Sequence, residues 1–274
     1  MNDSKIKGTV QICEAVLAKA SNTFPTSYRT YYGHALFTKA VRHGQSIISL
    51  CEAADPSSRN AELDVAAICI LTRCIMEAHN AMAYLLEPGI SKDEFEFRLH
   101  LFSLNHATDL RKIHHRLGIS PRPFGDAARV WSLEELSRNT IFKGLDVPHQ
   151  KKLLLGGSPY IPQRYRGDRP LSSTVESGLY NLFSQSTHSL SLGLTPFVGG
   201  GNLTAAGTEN SFRLAVHAAT IYLSTQALIY LRLRSRVFKS SLSQWKDALK
   251  RSSATEGLTK RLREISDGLE ELSC

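Results

Sequence analysis

Apolar residues recur at three- and four-residue spacings along nearly the whole chain, and stretches alternating with period two are almost absent. That rhythm stacks side chains on one side of a helix, so the chain reads as all-α. Breakers divide it into segments. Helices are expected over 5–20, 29–54, 60–87, 91–117, 124–143, 147–155, 174–192, 209–238 and 241–272. Pro25, Asp55-Pro56, Pro88-Gly89 and Gly118 supply the stops. Ser91 followed by Glu94 forms a capping box at the start of the fourth segment. The expected architecture is an irregular multi-helix bundle of about eight to nine helices. A single domain covers 1–240, and 241–274 forms a peripheral, basic amphipathic helix. Two loops, 156–171 and 193–207, are the main interruptions.

Three of the apolar segments carry a line of polar residues. In the third, Arg73, Glu77, Asn80 and Tyr84 stand at i, i+4, i+7 and i+11, on one face. A helix that is apolar all round is buried, so this line is expected inside, where an ion pair must find further partners. After the first large loop, Tyr180, Ser184 and His188 are spaced four apart. In the long helix Arg213, His217, Thr220 and Ser224 repeat the first pattern. The economical arrangement has the three lines facing each other as one internal polar network. A network of this kind either specifies packing or forms a site. As a site, His188 is the candidate general acid or base, with Ser184, Tyr180, Arg73 and Glu77 around it. Arg213, His217 and Asn80 are candidate ligand-binding residues. His106 interrupts the apolar series Phe95, Leu99, Phe102, Leu110, Ile113 and Leu117, and reads as a core histidine bonded to a backbone carbonyl. His114 and His115, with Arg111, Lys112 and Arg116, lie at a helix end, where the dipole favours cations without any function.

Composition adds charge to this picture. The 274 residues carry a formal net charge of +8 at only 21% charged residues. Residues 138–173 hold seven Lys/Arg against two Asp/Glu, a local +5. Residues 229–274 hold ten against six, a local +4, and the rest is close to neutral. In the loop 156–171, Arg164, Arg166 and Arg169 alternate with Tyr160 and Tyr165, which suits phosphate contact and base stacking. Five cysteines without a C-x-x-C predict neither a disulfide framework nor a zinc ribbon, and a reducing, cytoplasmic setting is the default. Leu214 to Leu231 lacks charges and approaches the roughly 20 residues of a membrane span. Its His217, Thr220, Ser224, Thr225 and Gln226 favour a buried helix in a soluble protein instead. No secretory signal is visible at the amino end.

Motifs narrow the chemistry little. The R-x(4–6)-H spacing of HEPN ribonucleases occurs at Arg73–His79 and at Arg29–His34, about the two matches expected by chance. The run Gly199-Gly200-Gly201 lacks the G-K-[ST] of a phosphate loop and follows no strand. No zincin, nucleophile-elbow or EF-hand pattern is present.

The stretch LTRCIMEAHNAMAYLL, with Arg73-x-x-x-Glu77, resembles the R-x-x-x-E motif of a widespread group of bacterial all-helical proteins. LYNLFSQSTH, ending at His188, is similar to the same group's Y-x-x-[LF]-S-x-x-x-H motif. The resemblance spans about residues 60–195. The group often has Pro after its His, where Ser189 stands here. The resemblance implies a shared polar site of Arg73, Glu77, Tyr180, Ser184 and His188, the residues periodicity selects, and names no reaction. The function expected is binding of an anionic ligand, nucleotide or RNA, or a regulatory role. A metal-independent HEPN-like ribonuclease and a helical scaffold are the rivals. The partners admitted are nucleic acid or nucleotide and a second copy of the chain. No membrane, cofactor or metal is expected.

Overall fold

The computed structural model describes residues 4–53, 63–120, 123–156, 159–161, 165, 167, 169–186, 205–238 and 242–271. Among them are eleven helices and no strand, so the all-α multi-helix expectation is met. The helices are α1 (Ser4–Ala20), α2 (Tyr28–Ala53), α3 (Val65–Leu85), α4 (Lys92–Arg116), α5 (Pro123–Arg138), α6 (Thr140–Lys143), α7 (Val147–Leu154), α8 (Ser173–Gln185), α9 (Ala205–Leu233), α10 (Leu242–Ser252) and α11 (Glu256–Glu271). The extra helices arise from two splits. Asn139 ends one helix and caps the next, its side-chain oxygen accepting from the N–H groups of Ile141 and Phe142 at 3.0 and 3.2 Å. Residues 253–255 separate α10 from α11. The chain forms two compact units, Met1–Met82 with Asp168–Cys274, and Ala83–Gly167.

In the first unit α9 packs against α1, α2, α10 and α11, and α1 also meets α2 and α10. The core holds Ile6, Val10, Ile47, Ile75, Phe183, Phe212 and Leu223. Full burial of each such side chain contributes about 1.5–3 kcal/mol. The stretch 241–274, expected as one peripheral helix, sends Leu249 and Leu258 into buried positions. By length and composition two helical stretches could cross a membrane, Val65–Leu85 and Glu209–Leu233. The second is mostly buried within the unit, and some of its polar groups find partners there. Gln226 Nε2 donates to the Ile75 carbonyl at 3.0 Å, and Thr220 Oγ1 to the Val216 carbonyl at 2.7 Å.

In the second unit α4 packs on α5 and α6 over Phe97, Leu101, Leu104, Leu136, Phe142 and Leu153. Ser91 Oγ accepts from the Glu94 N–H at 3.1 Å, as the capping box requires. The Glu94 carboxylate turns instead to Arg98. Gly118 ends α4 with φ +66°, and the bonds Ile119 N–H to His114 O and Gly118 N–H to His115 O complete a Schellman turn. The apolar series expected as the core face of α4 is a different face. His106 is exposed, and Ile113 and Leu117 are 51% and 66% exposed. His106 is therefore a surface residue and no core histidine.

Arg98 lies within this unit at 1% exposure. Its Nε donates to Glu94 Oε1 at 2.7 Å. Its Nη1 donates to Glu87 Oε2 at 2.7 Å and to the Tyr84 carbonyl at 2.5 Å. The guanidinium lies 4.3 Å from the centre of the Tyr84 ring. Two carboxylates, a carbonyl and an aromatic face surround one buried cation, which is the condition for keeping a charge inside.

Candidate functional site

Periodicity brings α3 and α8 together in the first unit as expected. Arg73 Nε donates to Glu77 Oε1 at 3.1 Å, and Arg73 Nη2 donates to Tyr180 OH at 2.9 Å. Tyr180 OH donates in turn to Glu77 Oε1 at 2.9 Å, and the guanidinium sits 4.7 Å from the Tyr180 ring centre. Desolvation works against the Arg73 charge, but Tyr180 and Glu77 outweigh it and raise its pKa. One turn further, Asn80 Nδ2 donates to Glu176 Oε1 at 2.8 Å, and Arg169 Nη1 to Glu176 Oε2 at 3.3 Å. Ser184 Oγ bonds back to the Tyr180 carbonyl at 2.6 Å. His188, Arg164 and Arg166 lie outside the described residues, as does the run Gly199-Gly200-Gly201.

The burial expectation fails here. The side chains of Arg73 and Glu77 are 25% and 45% exposed. Arg73, Glu77 and Asn80 lie along the solvent edge of α3, while Tyr84 at the end of the line is buried, as are Ile75, Met76, Ala78, His79 and Met82. The group is also charge-compensated, each arginine facing one carboxylate. Glu77→Ala is therefore expected to cost less than about 1 kcal/mol, as for an exposed i,i+4 pair. A urea titration checks this, and a loss several times larger would restore the buried-pair reading.

The third line takes other partners. Arg213 pairs with Glu209 on its own helix, both side chains substantially exposed. His217 stands beside Gly257 of α11, its Cε1 3.7 Å from where a Cβ would lie. What α9 brings toward Glu176 is Tyr222, which the polar spacing does not mark. Its hydroxyl is buried without a hydrogen-bond partner among the described residues. Burial, and then the Glu176 charge, push its pKa up. Glu176 itself is also absent from the spacing argument, although it stands four residues before Tyr180 on the same line. Extending that series one step toward the amino end identifies it.

His79 lies edge-on to Tyr222 with ring centres 5.0 Å apart, and is 1% exposed. Asn80 gives its amide nitrogen to Glu176, so its oxygen accepts from His79 Nδ1–H at 3.3 Å. His79 Nε2 is left buried with no partner among the described residues. Burial above all, with the Arg169 charge, pulls its pKa down to about 4, against a smaller opposing effect of Asn80. His79 is a neutral imidazole at physiological pH. Its Nδ1 is held by Asn80, while Arg73 is held by Glu77 and Tyr180.

The depressed pKa sets a stability trend. The folded state resists the proton that an unfolded His79 takes up near 6.5. Its contribution is complete above that pH and is lost as pH falls toward 4, to the extent of about 3 kcal/mol. His34, His43 and His100 are lowered in the same direction, mainly by burial. Urea midpoints measured near pH 7.5 and pH 4.5 should drop sharply between the two, and His79→Gln should flatten the drop. Equal slopes in both proteins would contradict it.

The second unit carries a different kind of site. A cavity of about 370 Å³ is lined by Thr108, Arg111, Lys112, His115 and Arg116 of α4, Arg129 of α5, and Leu155 after α7. Gly156 helps shape it. Its φ of +70° turns the chain at the end of α7, and a Cβ there would come within 2.6 Å of Thr108 Oγ1. Four permanent cations line the cavity. One of them, Lys112, is paired with Asp109, its Nζ 3.0 Å from the carboxylate. The half-unit negative end of the α4 dipole is small beside them. The sequence contained the signal, since Arg111, Lys112, His115 and Arg116 at i, i+1, i+4 and i+5 share one face. The dipole explanation of those cations passes over that clustering. The loop aromatic Tyr160 is packed edge-on against Tyr84 at 5.4 Å, and Arg169 serves Glu176.

Among the described residues no cluster of His, Cys, Asp and Glu could hold a metal ion. Burial pushes the Cys69 thiol up to about 12 and raises that of Cys13 as well, so both are protonated core groups. No family model, curated protein or solved structure matches the chain.

Proposed function

We propose that this protein binds a phosphate-bearing anion, with single-stranded RNA as the leading ligand, through the basic cavity of its second unit. One observation carries the reading: Arg111, Lys112, Arg116 and Arg129 converge on one cavity whose lining, among the described residues, contains no carboxylate. Guanidinium groups fit phosphate oxygens bidentately, and His115 and Thr108 add hydrogen-bonding groups beside them. The α3–α8 group is charge-compensated, and in this reading it clasps α8 to α3. Fluorescence anisotropy of a labelled single-stranded RNA tests the proposal. Saturable binding at low salt is expected, unchanged by Arg138→Gln, which removes an exposed arginine paired with Glu135. Absence of binding at low salt would reject it.

A further inference from the structure

The first unit has a second basic cavity, built on one face of α2. It also measures about 370 Å³ and is lined by His34, Ala35, Thr38, Lys39, Arg42 and His43. Lys39 and Arg42 are exposed cations at its mouth. Thr38 Oγ1 and His43 Nε2 are buried atoms without a hydrogen-bond partner among the described residues. Buried polar atoms are normally satisfied, so two orphans on residues that line one cavity point to a missing hydrogen-bonding group. His34 is already oriented, its Nδ1 2.9 Å from the hydroxyl of buried Tyr230. The adjacent cations define the sign of the missing group. Burial, with Lys39 next to His43 and Arg234 next to His34, lowers the pKa of both imidazoles and favours their neutral form.

We infer that this α2 cavity is a binding site for a small oxyanion of the phosphate class, with Lys39 and Arg42 supplying charge and Thr38 and His43 supplying hydrogen bonds. With a turn of the two side chains toward the cavity, the hydroxyl of Thr38 and an N–H of His43 would donate to anion oxygens, the kind of charge-assisted bond that fixes a small anion in one orientation. The site lies on α2 and is independent of the basic cavity of the second unit.

Histidine side-chain NMR during titration tests it, with inorganic phosphate in one arm and a phosphomonoester, glycerol 2-phosphate, in the other. Sodium chloride at matched ionic strength is the control. A saturable shift of the His43 resonances in either phosphate arm is expected, and the tighter arm identifies the free ion or the ester as ligand. Arg42→Gln and Thr38→Val should each weaken binding about tenfold, the loss of one charge-assisted hydrogen bond. Both should leave the far-UV circular dichroism and RNA binding by the second unit unchanged. His43 shifts that merely follow ionic strength, or an affinity the same in wild type and Arg42→Gln, would overturn the inference. Loss of RNA binding with intact phosphate binding would instead count against the proposed function alone.

Discussion

Arg98→Ala is expected to be the most damaging single substitution in the chain. The side chain is 1% exposed and neutralises two carboxylates that are themselves almost fully buried, Glu87 and Glu94. Removing one partner of a buried ion pair costs about 3–5 kcal/mol, because the other charge stays behind. Here two charges stay behind, and the Tyr84 carbonyl loses its donor. That is a large part of the roughly 5–15 kcal/mol that holds a typical domain together. A urea titration should show a midpoint shift of that size. Arg98→Lys should fall between the two, since one ammonium cannot span Glu87, Glu94 and the carbonyl as a guanidinium fork does. Replacing the whole group, with Arg98→Met, Glu87→Gln and Glu94→Gln together, should recover part of the loss. A cost below about 1 kcal/mol for Arg98→Ala would show that the group is solvated.

The second large effect concerns the basic cavity. The triple substitution Arg111→Gln, Arg116→Gln and Arg129→Gln leaves the fold nearly untouched, since these are surface or half-buried side chains outside the core. Its effect falls on binding. Each phosphate contact on a single strand contributes about 0.7 to the slope of log affinity against log salt. At about 0.1 M salt, three such contacts are worth roughly 100-fold in affinity. Anisotropy with the labelled RNA should show that loss while the circular dichroism spectrum stays unchanged. Equal affinity in wild type and triple variant would place RNA elsewhere on the chain or remove it as a ligand.

What the sequence revealed, and what it concealed, divides along physical lines. Local signals were dependable. Ser91 caps α4 and Gly118 ends it, because a cap and a left-handed turn depend on residues within one turn of the chain. Spacing also picked out Arg73, Glu77 and Tyr180, which meet, since four-residue periodicity fixes the face they occupy, but it passed over Glu176. It did not fix the depth of that face. Arg73 and Glu77 sit on an apolar helix, yet at its solvent edge, because burial depends on what covers the helix and not on its own composition. The Arg98 group was concealed for a related reason. Glu87 precedes a turn and Glu94 follows it, and α4 also carries exposed charges that look the same in a sequence. The apolar series from Phe95 to Leu117 suggested one core face, whereas Phe97, Leu101 and Leu104 form the buried one. Summing charge by segment hid the cavity as well. Arg111, Lys112, Arg116 and Arg129 belong to the stretch that sums close to neutral, because its carboxylates are spent elsewhere, two of them on Arg98.

The most direct measurement of the central claim is the affinity of the wild-type protein for single-stranded RNA as a function of salt, beside that of the triple variant. Four cations in the cavity predict a log–log slope of about −3 for the wild type, falling toward −1 in the variant. A flat wild-type response, or one slope shared by both proteins, would contradict the assignment of phosphate binding to this cavity.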